Sequence, residues 1–402
     1  MILGLACLHP QGIGVDMATH DPLRFVSDLG AKLATRSRHV CTFFGAGTSK
    51  ACGLPDIAQL QERVLASLSN DQKPLFTLLL KGRNLEQGLS RLRRITALLD
   101  GDQTLDNFTA QTALDLDLAI CQIIIKELDI SNANHTPSRY FAAWLARTNY
   151  HTPVEIFTVN YDLLLETALE EMQVPYFDGF IGNLRARFQT DLVETRPGSE
   201  AESIPAFFSR LWKLHGSVNW AWEDDRQIVR VGQPIHNEMA AAIYPSDTKY
   251  EESRRVPFLV LQDRMRRAFH QPETLVLVAG YSFGDAHLNE LIFDAAMRRE
   301  RTEIVVFCYS DIPGILADRA LLTPNLQVLG NREAIIGGVR ANWAEAQEDC
   351  SGIYEQNSFL LGNFSKLAEY LAKSTSRDFD NNIRLENILK LAAGIQNLGA
   401  GE

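Results

Sequence analysis

Four short polar clusters each follow an apolar run, and their residue types are those of a catalytic cleft. The first is Phe44-Gly45-Ala46-Gly47-Thr48-Ser49, entered from His39-Val40-Cys41-Thr42-Phe43, a β-branched run that reads as a buried strand. A strand running into Gly-Ala-Gly brings backbone N–H groups close to a pyrophosphate. The missing Cβ atoms clear the approach, and the next helix points its positive end at the phosphates. The G-x-G-x-x-G spacing is not completed, because position 50 is Lys, so this turn alone also fits a strand-to-helix connection without a ligand. The second cluster ends the run 154–162 with Asn160 and Asp162. The third ends 211–217 with His215. The fourth ends 274–285 with Gly280-Tyr281-Ser282-Phe283-Gly284-Asp285. Ligands of open parallel sheets sit outside the carboxyl ends of the strands, where all four clusters fall. His215 is suited to move a proton near neutral pH, and Asn160 offers a donor and an acceptor in fixed geometry.

The elements that must hold these clusters follow from periodicity. Residues 21–36 predict an amphipathic helix with Leu23, Phe25, Val26, Leu29 and Leu33 near helical spacing. From about 57 to 150 the pattern is helical. Leu60, Val64, Leu65 and Leu68 form one stripe and Leu85, Leu89, Leu92 and Ile95 another, while Leu114, Leu116, Ile120, Ile123, Ile124 and Leu128 suit a more buried helix. This block lies between the first two sheet strands, so it reads as an inserted helical subdomain capping one side of the cleft. Residues 181–206 mix charge, Gly and Pro and read as a surface loop. Residues 218–222 and 226–231 alternate around Glu223-Asp224-Asp225 and predict a β-hairpin. A helix over 285–299, strands over 304–308 and 325–329, and helices over 359–373 and 383–394 complete the series. The division expected is an N-terminal extension over 1–20, with Met1 or Met17 as the start, a nucleotide-binding catalytic domain over 21–330, and a C-terminal helical extension over 331–402. No internal repeat or low-complexity segment interrupts it.

Length and charge narrow the function classes. A chain of 402 residues exceeds what one simple core serves, which fits a main domain with a sizeable insertion. The net charge of −11 argues against direct nucleic-acid binding. No apolar run is long enough to span a membrane, and the apolar start Met1–Leu8 lacks the positive flank of a signal peptide. The six cysteines, Cys7, Cys41, Cys52, Cys121, Cys308 and Cys350, are widely spaced, which suits a reducing cytoplasm and offers no Cys-x-x-Cys pair for structural zinc.

The order of the motifs resembles the sirtuin family. Gly45-Ala46-Gly47-Thr48-Ser49, Gly53-Leu54-Pro55-Asp56, Asn160-Tyr161-Asp162, His215-Gly216 and Gly280-Tyr281-Ser282 are similar to that family's NAD-binding and catalytic motifs over about residues 38–310. The resemblance implies an α/β fold, a Rossmann-like parallel sheet with an inserted helical subdomain. It implies that Gly45–Ser49 hold the pyrophosphate of NAD and that Asn160 and Asp162 face the nicotinamide ribose and carboxamide. His215 would be the catalytic base and Ser282 would lie near the adenine ribose. Pro55, Asp56, Gly280 and Tyr309 complete the NAD contacts it implies. The chain departs from the protein-deacetylating members in three ways. It lacks the zinc cysteines, so no zinc ribbon and no metal are expected. It has Ile57-Ala58 where those enzymes have Phe-Arg after the Asp, and Val159 where they have Gln before the Asn. It resembles instead the bacterial sirtuin-like NAD hydrolases of antiphage defence, in particular the stand-alone kind that assembles with a HerA-type hexameric ATPase.

With no acylated lysine entering, water would take C1′ of the ribose as nicotinamide leaves, giving ADP-ribose. His215 would deprotonate a ribose hydroxyl or that water, and Asp162 would accept from the carboxamide N–H. Each role has a rival. His215 could be a satisfied core histidine, Asp162 the cap of the helix beginning at Leu163, and Ser282 a turn closer. His287 and Asn289 either reach the cleft or start a helix. The clusters Arg91, Arg93, Arg94 and Arg264, Arg266, Arg267 are either solvated faces or docking sites. Three functions remain: an NAD glycohydrolase effector, an NAD-dependent protein deacylase, and a nonenzymatic NAD or ADP-ribose sensor. The first would need restraint, because unchecked NAD hydrolysis kills the host. Oligomerisation or a partner ATPase is expected to supply it, with assembly surfaces on the insertion and the terminal helices.

Overall fold

A computed structural model describes residues 19–374 apart from 101–102, 198, 200–202, 225–226, 236–240, 244–255, 299–301 and 346–351. Residues 1–18 of the extension expected over 1–20, the choice between Met1 and Met17, and the helix expected at 383–394 lie outside the described residues.

The chain opens with α1 (Pro22–Leu33), capped by the Asp21 carboxylate on Leu23 N and Arg24 N, and enters β1 (His39–Phe44) and the short α2 (Ala46–Ala51). Five helices follow: α3 (Ile57–Ser67), α4 (Gln72–Leu80), α5 (Leu85–Leu98), α6 (Ala110–Glu127) and α7 (Thr136–Leu145). Then come β2 (Glu155–Thr158), α8 (Leu164–Glu171), β3 (Tyr176–Phe177), β4 (Phe180–Ile181), β5 (Ala186–Phe188), α9 (Thr190–Glu194), β6 (Ser209–Lys213), β7 (Gly216–Asp224), β8 (Gln227–Arg230) and β9 (Ala241–Ile243). The last part holds α10 (Phe258–Phe269), β10 (Thr274–Ala279), α11 (Ala286–Met297), β11 (Glu303–Phe307), α12 (Gly314–Leu322), β12 (Leu326–Leu329), β13 (Glu333–Ile336), β14 (Val339–Asn342), β15 (Tyr354–Glu355), β16 (Ser358–Phe359) and α13 (Phe364–Ser374).

Among the described residues the main sheet has nine strands in the order β14-β13-β12-β11-β10-β1-β2-β6-β3. It is parallel from β12 to β3, and an antiparallel hairpin closes the other edge. This is the expected α/β class with a parallel sheet. From β1 the chain builds outward through β2 and β6, then returns to place β10 on the other flank of β1. That reversal makes a crevice at the carboxyl ends of β1 and β10, where ligands of such sheets bind. β1 and β10 are buried along their whole length, which explains why their sequences are continuous apolar runs rather than alternating ones. A second, antiparallel sheet, β4-β5-β8-β7-β9, contains the expected hairpin as β7 and β8. The sequence has no cysteine between Cys121 and Cys308, the stretch that contains this sheet. Aromatic packing of Phe180 on Trp220 and of Trp220 on Phe258 holds it to α10.

Three expectations are corrected here. The helical stretch 57–150 divides in two. Helices α3 to α6 close around their own core of Leu60, Val64, Phe76, Leu89, Leu92 and Ile120, whereas Phe141 and Trp144 of α7 join the main core beneath the sheet. The region from 331 opens not with a helix but with the β13–β14 hairpin, turning at Gly337 and Gly338 with φ of +61° and +80°. Residues 181–206 are more than a surface loop, since they carry β5 and α9 and bury Ala186 and Val193. The apolar stripe of α5 and the apolar face of α13 pack internally. Leu85, Leu89 and Leu92 are at most 1% exposed, and α13 packs Phe364 on Phe44. No helix among the described residues is long and apolar enough to cross a membrane.

Candidate active site

Strand register brings the polar clusters together. Thr158 of β2 pairs with Phe44 of β1 and with Lys213 of β6, and Ala279 of β10 pairs with Phe44 on the other side. Asn160 and His215 therefore stand at equivalent positions, two residues beyond a paired couple, on neighbouring strands. Gly45 and Gly280 follow the paired residues Phe44 and Ala279. Tyr309 stands two residues past Phe307, the partner of Ala279, and is 76% exposed. Ser282 is exposed in the turn after β10.

The Gly45–Ser49 turn is pressed onto the Gly280 turn. A Cβ on Gly45 or on Gly47 would lie 2.6 Å from the backbone of Gly280, and one on Gly280 would strike Thr48 N. Gly45 N donates to Ala279 O (3.1 Å), Gly47 N to Gly280 O (2.8 Å) and Thr48 N to Gly45 O (2.9 Å). The glycines thus have a packing reason of their own, beside the expected one of admitting a pyrophosphate. Ala46, between them, lines a cavity of about 70 Å³ with Ser49, Pro55, Asn160 and Asp162. Ile57, Leu60, Glu86 and Leu128 close its far side, so the helical subdomain forms one wall. A separate cavity of about 280 Å³, beside Val154 and Ser209, opens at the amino ends of β2 and β6 and is remote from these groups.

One hydrogen-bond chain fixes the Asn160 amide. Thr48 Oγ1 donates to Gly45 O (2.9 Å), and Ser49 Oγ donates to Asp162 Oδ2 (2.5 Å). With their protons committed, both hydroxyls can only accept, and each accepts from Asn160 Nδ2, at 2.9 and 2.8 Å. The amide is thereby oriented with Nδ2 toward α2. Its Oδ1 is buried with no hydrogen-bond partner among the described residues. A buried acceptor left unmatched costs about 1–3 kcal/mol, so Oδ1 is a natural seat for a ribose hydroxyl or a water. Thr48 and Ser49, expected among the cofactor contacts, act through their hydroxyls as the frame of Asn160 and Asp162.

Asp162 lies one residue before Leu163, the N-cap of α8, so it is not the cap itself; its Oδ1 accepts from Leu164 N (3.1 Å) and closes the turn that leads into the helix. Beneath it, buried Lys213 donates to the carbonyls of Tyr161 and Asp162, to Glu166 Oε1 and to Ser217 Oγ. Burial pushes the Glu166 carboxyl up, against the pull of Lys213. Tyr161 points the other way, into the core of the helical subdomain, and its hydroxyl donates to Glu86 Oε1 (2.9 Å). Asp56 is occupied locally. It caps α3 through Ala58 N and Gln59 N, and Lys50 Nζ lies 2.6 Å from its other oxygen. These helix amides and Lys50 hold its carboxyl below the usual range.

His215 is 6% exposed, and neither ring nitrogen has a hydrogen bond among the described residues. Its Nε2 stands 3.5 Å from Asp285 Oδ2, an ion-pair distance too long for a formed hydrogen bond. The reading of His215 as a satisfied core histidine is not met. Asp285 sits between the fourth cluster and α11, which it caps through His287 N and Leu288 N. Burial would raise its carboxyl, but His215 and the helix amides hold it below the usual range. Sequence reasoning passed over Asp285 as a site residue; the signal was an Asp ending the fourth cluster immediately before a helix. His287 and Asn289 take the helix-start alternative. Asn289 is buried, donating to Phe283 O and accepting from Tyr281 Oη to brace the turn.

The arginine clusters separate on inspection. Arg91 pairs with Asp106, Arg93 with Asp117, and Arg266 and Arg267 both with Asp263. Arg264 is no solvated residue: it is 2% exposed and grips Glu155 with two bonds of 2.6 and 2.7 Å. His39 and Cys41 lie beside Glu155 and could in principle complete a metal site. The donor set does not fit one. Glu155 also accepts from Trp212 Nε1 (2.8 Å) and contacts His39 Nε2 (3.1 Å), and a cation there would face the Arg264 guanidinium. Burial, with Glu155 nearby, holds the Cys41 thiol well above its usual value and so opposes the thiolate a metal needs.

Residues 154–328 match the family model of the SIR2-like domain. The matched segment contains Asn160, Asp162, His215, Gly280 and Asp285 and begins after the Gly45 turn. No curated protein matches the chain. Over residues 154–328 the chain is similar to the SIR2-like domains, a generally enzymatic family that binds NAD, and its parallel-dominated α/β sheet is consistent with their Rossmann-type fold.

Proposed function

We propose that this protein is an NAD glycohydrolase that cleaves NAD, its substrate, to nicotinamide and ADP-ribose without a metal. The observation that carries the reading is the pair of unmatched buried groups on neighbouring strands: Asn160 Oδ1, aimed by a fixed amide, and the His215 imidazole. An acceptor and a proton carrier held at one strand-end level are what hydrolysis at C1′ requires. Asn160 Oδ1 accepts from the ribose or the attacking water, and His215 removes the proton. Asp162 keeps the loop in place through Ser49 and Leu164, with its remaining accepting capacity turned to the carboxamide. Ala46 and Pro55 line the cavity beside these groups, where the leaving nicotinamide fits by position.

The wider reading is an antiphage-defence effector that depletes NAD in the cytoplasm and so aborts infection. It would work as a homo-oligomer, under the control of a HerA-type hexameric ATPase, without direct nucleic-acid binding. Support for that role is the sequence resemblance and the need to restrain such an activity.

The test is incubation of the purified protein with NAD, with and without an acetylated peptide, reading nicotinamide and ADP-ribose by chromatography. Release without peptide is the expected result. Release only with peptide would replace the reading by a deacylase, and binding without turnover by a sensor. Repeating the assay with a co-expressed HerA-type ATPase, alongside light scattering, tests the control.

A further inference from the structure

We propose that Asp285 is the positioning residue of His215, holding the imidazole by Nε2 so that Nδ1 is left to take the proton. The inference rests on the reading of His215 as the base and deepens it. Three observations carry it. The His215 side chain is buried and that of Asp285 nearly so, 7% and 11% exposed, with Nε2 3.5 Å from Oδ2. They come from loops at the carboxyl ends of β6 and β10, on opposite sides of the Gly45 turn in the strand order. And His215 has no hydrogen bond among the described residues, so nothing else sets its tautomer.

The Asp285 carboxylate is itself anchored. Its Oδ1 accepts from His287 N (2.8 Å) and Leu288 N (3.3 Å), which leaves Oδ2 turned to the imidazole. A carboxylate can only accept, so it selects the imidazole with hydrogen on Nε2 and an open lone pair on Nδ1. A gap of 3.5 Å without substrate is typical of catalytic contacts that tighten once the ligand is in place. When Nδ1 takes a proton from the attacking water or ribose hydroxyl, the imidazole becomes cationic and Asp285 lies ready to stabilise it. The carboxylate remains ionised throughout, and the proton passes from Nδ1 to solvent water once nicotinamide has left, which is the one proton that hydrolysis of NAD releases. This is the aspartate's duty in a Ser-His-Asp triad, reached here on a different sheet geometry.

The experiment uses Asp285→Asn. Asparagine caps helices as well as aspartate, so α11 keeps its cap while the charge facing His215 is lost. Two readouts are taken on the full chain: kcat and KM for NAD separately, and the side-chain ¹⁵N spectrum of His215, assigned by its loss in His215→Ala. The expected result is an unchanged melting temperature, KM within about twofold, and kcat lowered on the order of 100-fold or more. The wild-type His215 spectrum should show hydrogen on Nε2 and the variant a mixture of tautomers. Asp285→Glu should restore part of kcat, while Asp285→Ala should lose the cap as well and melt lower. An unchanged kcat, or an unchanged His215 spectrum, in Asp285→Asn would overturn the proposal. Should the wild type prove unable to cleave NAD, the glycohydrolase reading falls, and the spectrum alone decides whether the pair exists.

Discussion

The contact between the Gly45 and Gly280 turns can be tested by pairing two glycines of nearly equal backbone conformation. Gly280 has φ of +65° and Gly337 of +61°. Replacing either with alanine puts an L residue in the left-handed region, which costs about 1–2 kcal/mol. There the likeness stops. A Cβ at Gly337 meets nothing within 4 Å, whereas at Gly280 it strikes Thr48 N and lies 2.8 and 2.9 Å from Gly47 C and Cα. These are backbone atoms of a turn already tied by Gly47 N to Gly280 O, so they cannot swing aside. Overpacking of this kind adds about 1–3 kcal/mol. Gly280→Ala should therefore cost roughly 2–5 kcal/mol and Gly337→Ala roughly 1–2 kcal/mol, read from urea unfolding midpoints. The displaced Thr48 would also disturb its bond to Asn160, so NAD turnover should fall in Gly280→Ala and stay normal in Gly337→Ala. Equal destabilisation by the two substitutions would refute the close contact and with it the packing reason for these glycines.

Asn160→Ala and His215→Ala should each lower NAD turnover by on the order of 100- to 10,000-fold with the circular-dichroism spectrum unchanged; near-normal rates in either would mean the site is misassigned. Glu155→Gln should cost roughly 3–5 kcal/mol at neutral pH, because Arg264 is left charged and buried without its partner. Glu155 is pushed up by burial but held far below the usual carboxylate range by Arg264 and His39. Its stabilisation is therefore full above the unfolded value and lost as pH falls through the folded one, so the gap between wild type and variant should narrow below about pH 4 in unfolding titrations. Leu92→Ala, in the core of the helical subdomain, should cost about 2–5 kcal/mol and leave the light-scattering mass unchanged; a change of mass with little loss of stability would return that stripe to an interface role.

The site was legible where a strand meets water. Asn160, Asp162, His215 and Gly280 could be placed because each ends an apolar run, and parallel topology collects such ends on one edge. What escaped was set by tertiary neighbours. Asp285 looked like the start of a helix, which it is, and nothing in the sequence reports that His215 faces its second oxygen. Arg264 sat in a basic trio with Arg266 and Arg267, and only the fold brings buried Glu155 to one of the three. Helix α7 shares the periodicity of α3 to α6 but packs on a different core. The β13–β14 hairpin did leave a trace: Gly337-Gly338 between Glu333–Ile336 and Val339–Asn342 is a hairpin turn signal that the helical reading of the tail overrode.

Tyr161 gives the Asn160–Asp162 loop a mechanical character. Its two neighbours fasten to Thr48 and Ser49, while its own ring is driven like a wedge into the helical subdomain and tethered to Glu86 of α5. Its carbonyl is held from below by Lys213, Ser217 and Val218 N. The loop has no slack between these anchors. A displacement of α5 against the sheet would reach the residues on either side of Tyr161 through that side chain, and would also shift Glu86 in the wall of the cavity. The subdomain is placed as the long arm of a lever whose short arm is Asn160, and Tyr161→Phe, which removes the tether and keeps the wedge, would loosen that linkage while leaving the fulcrum in place.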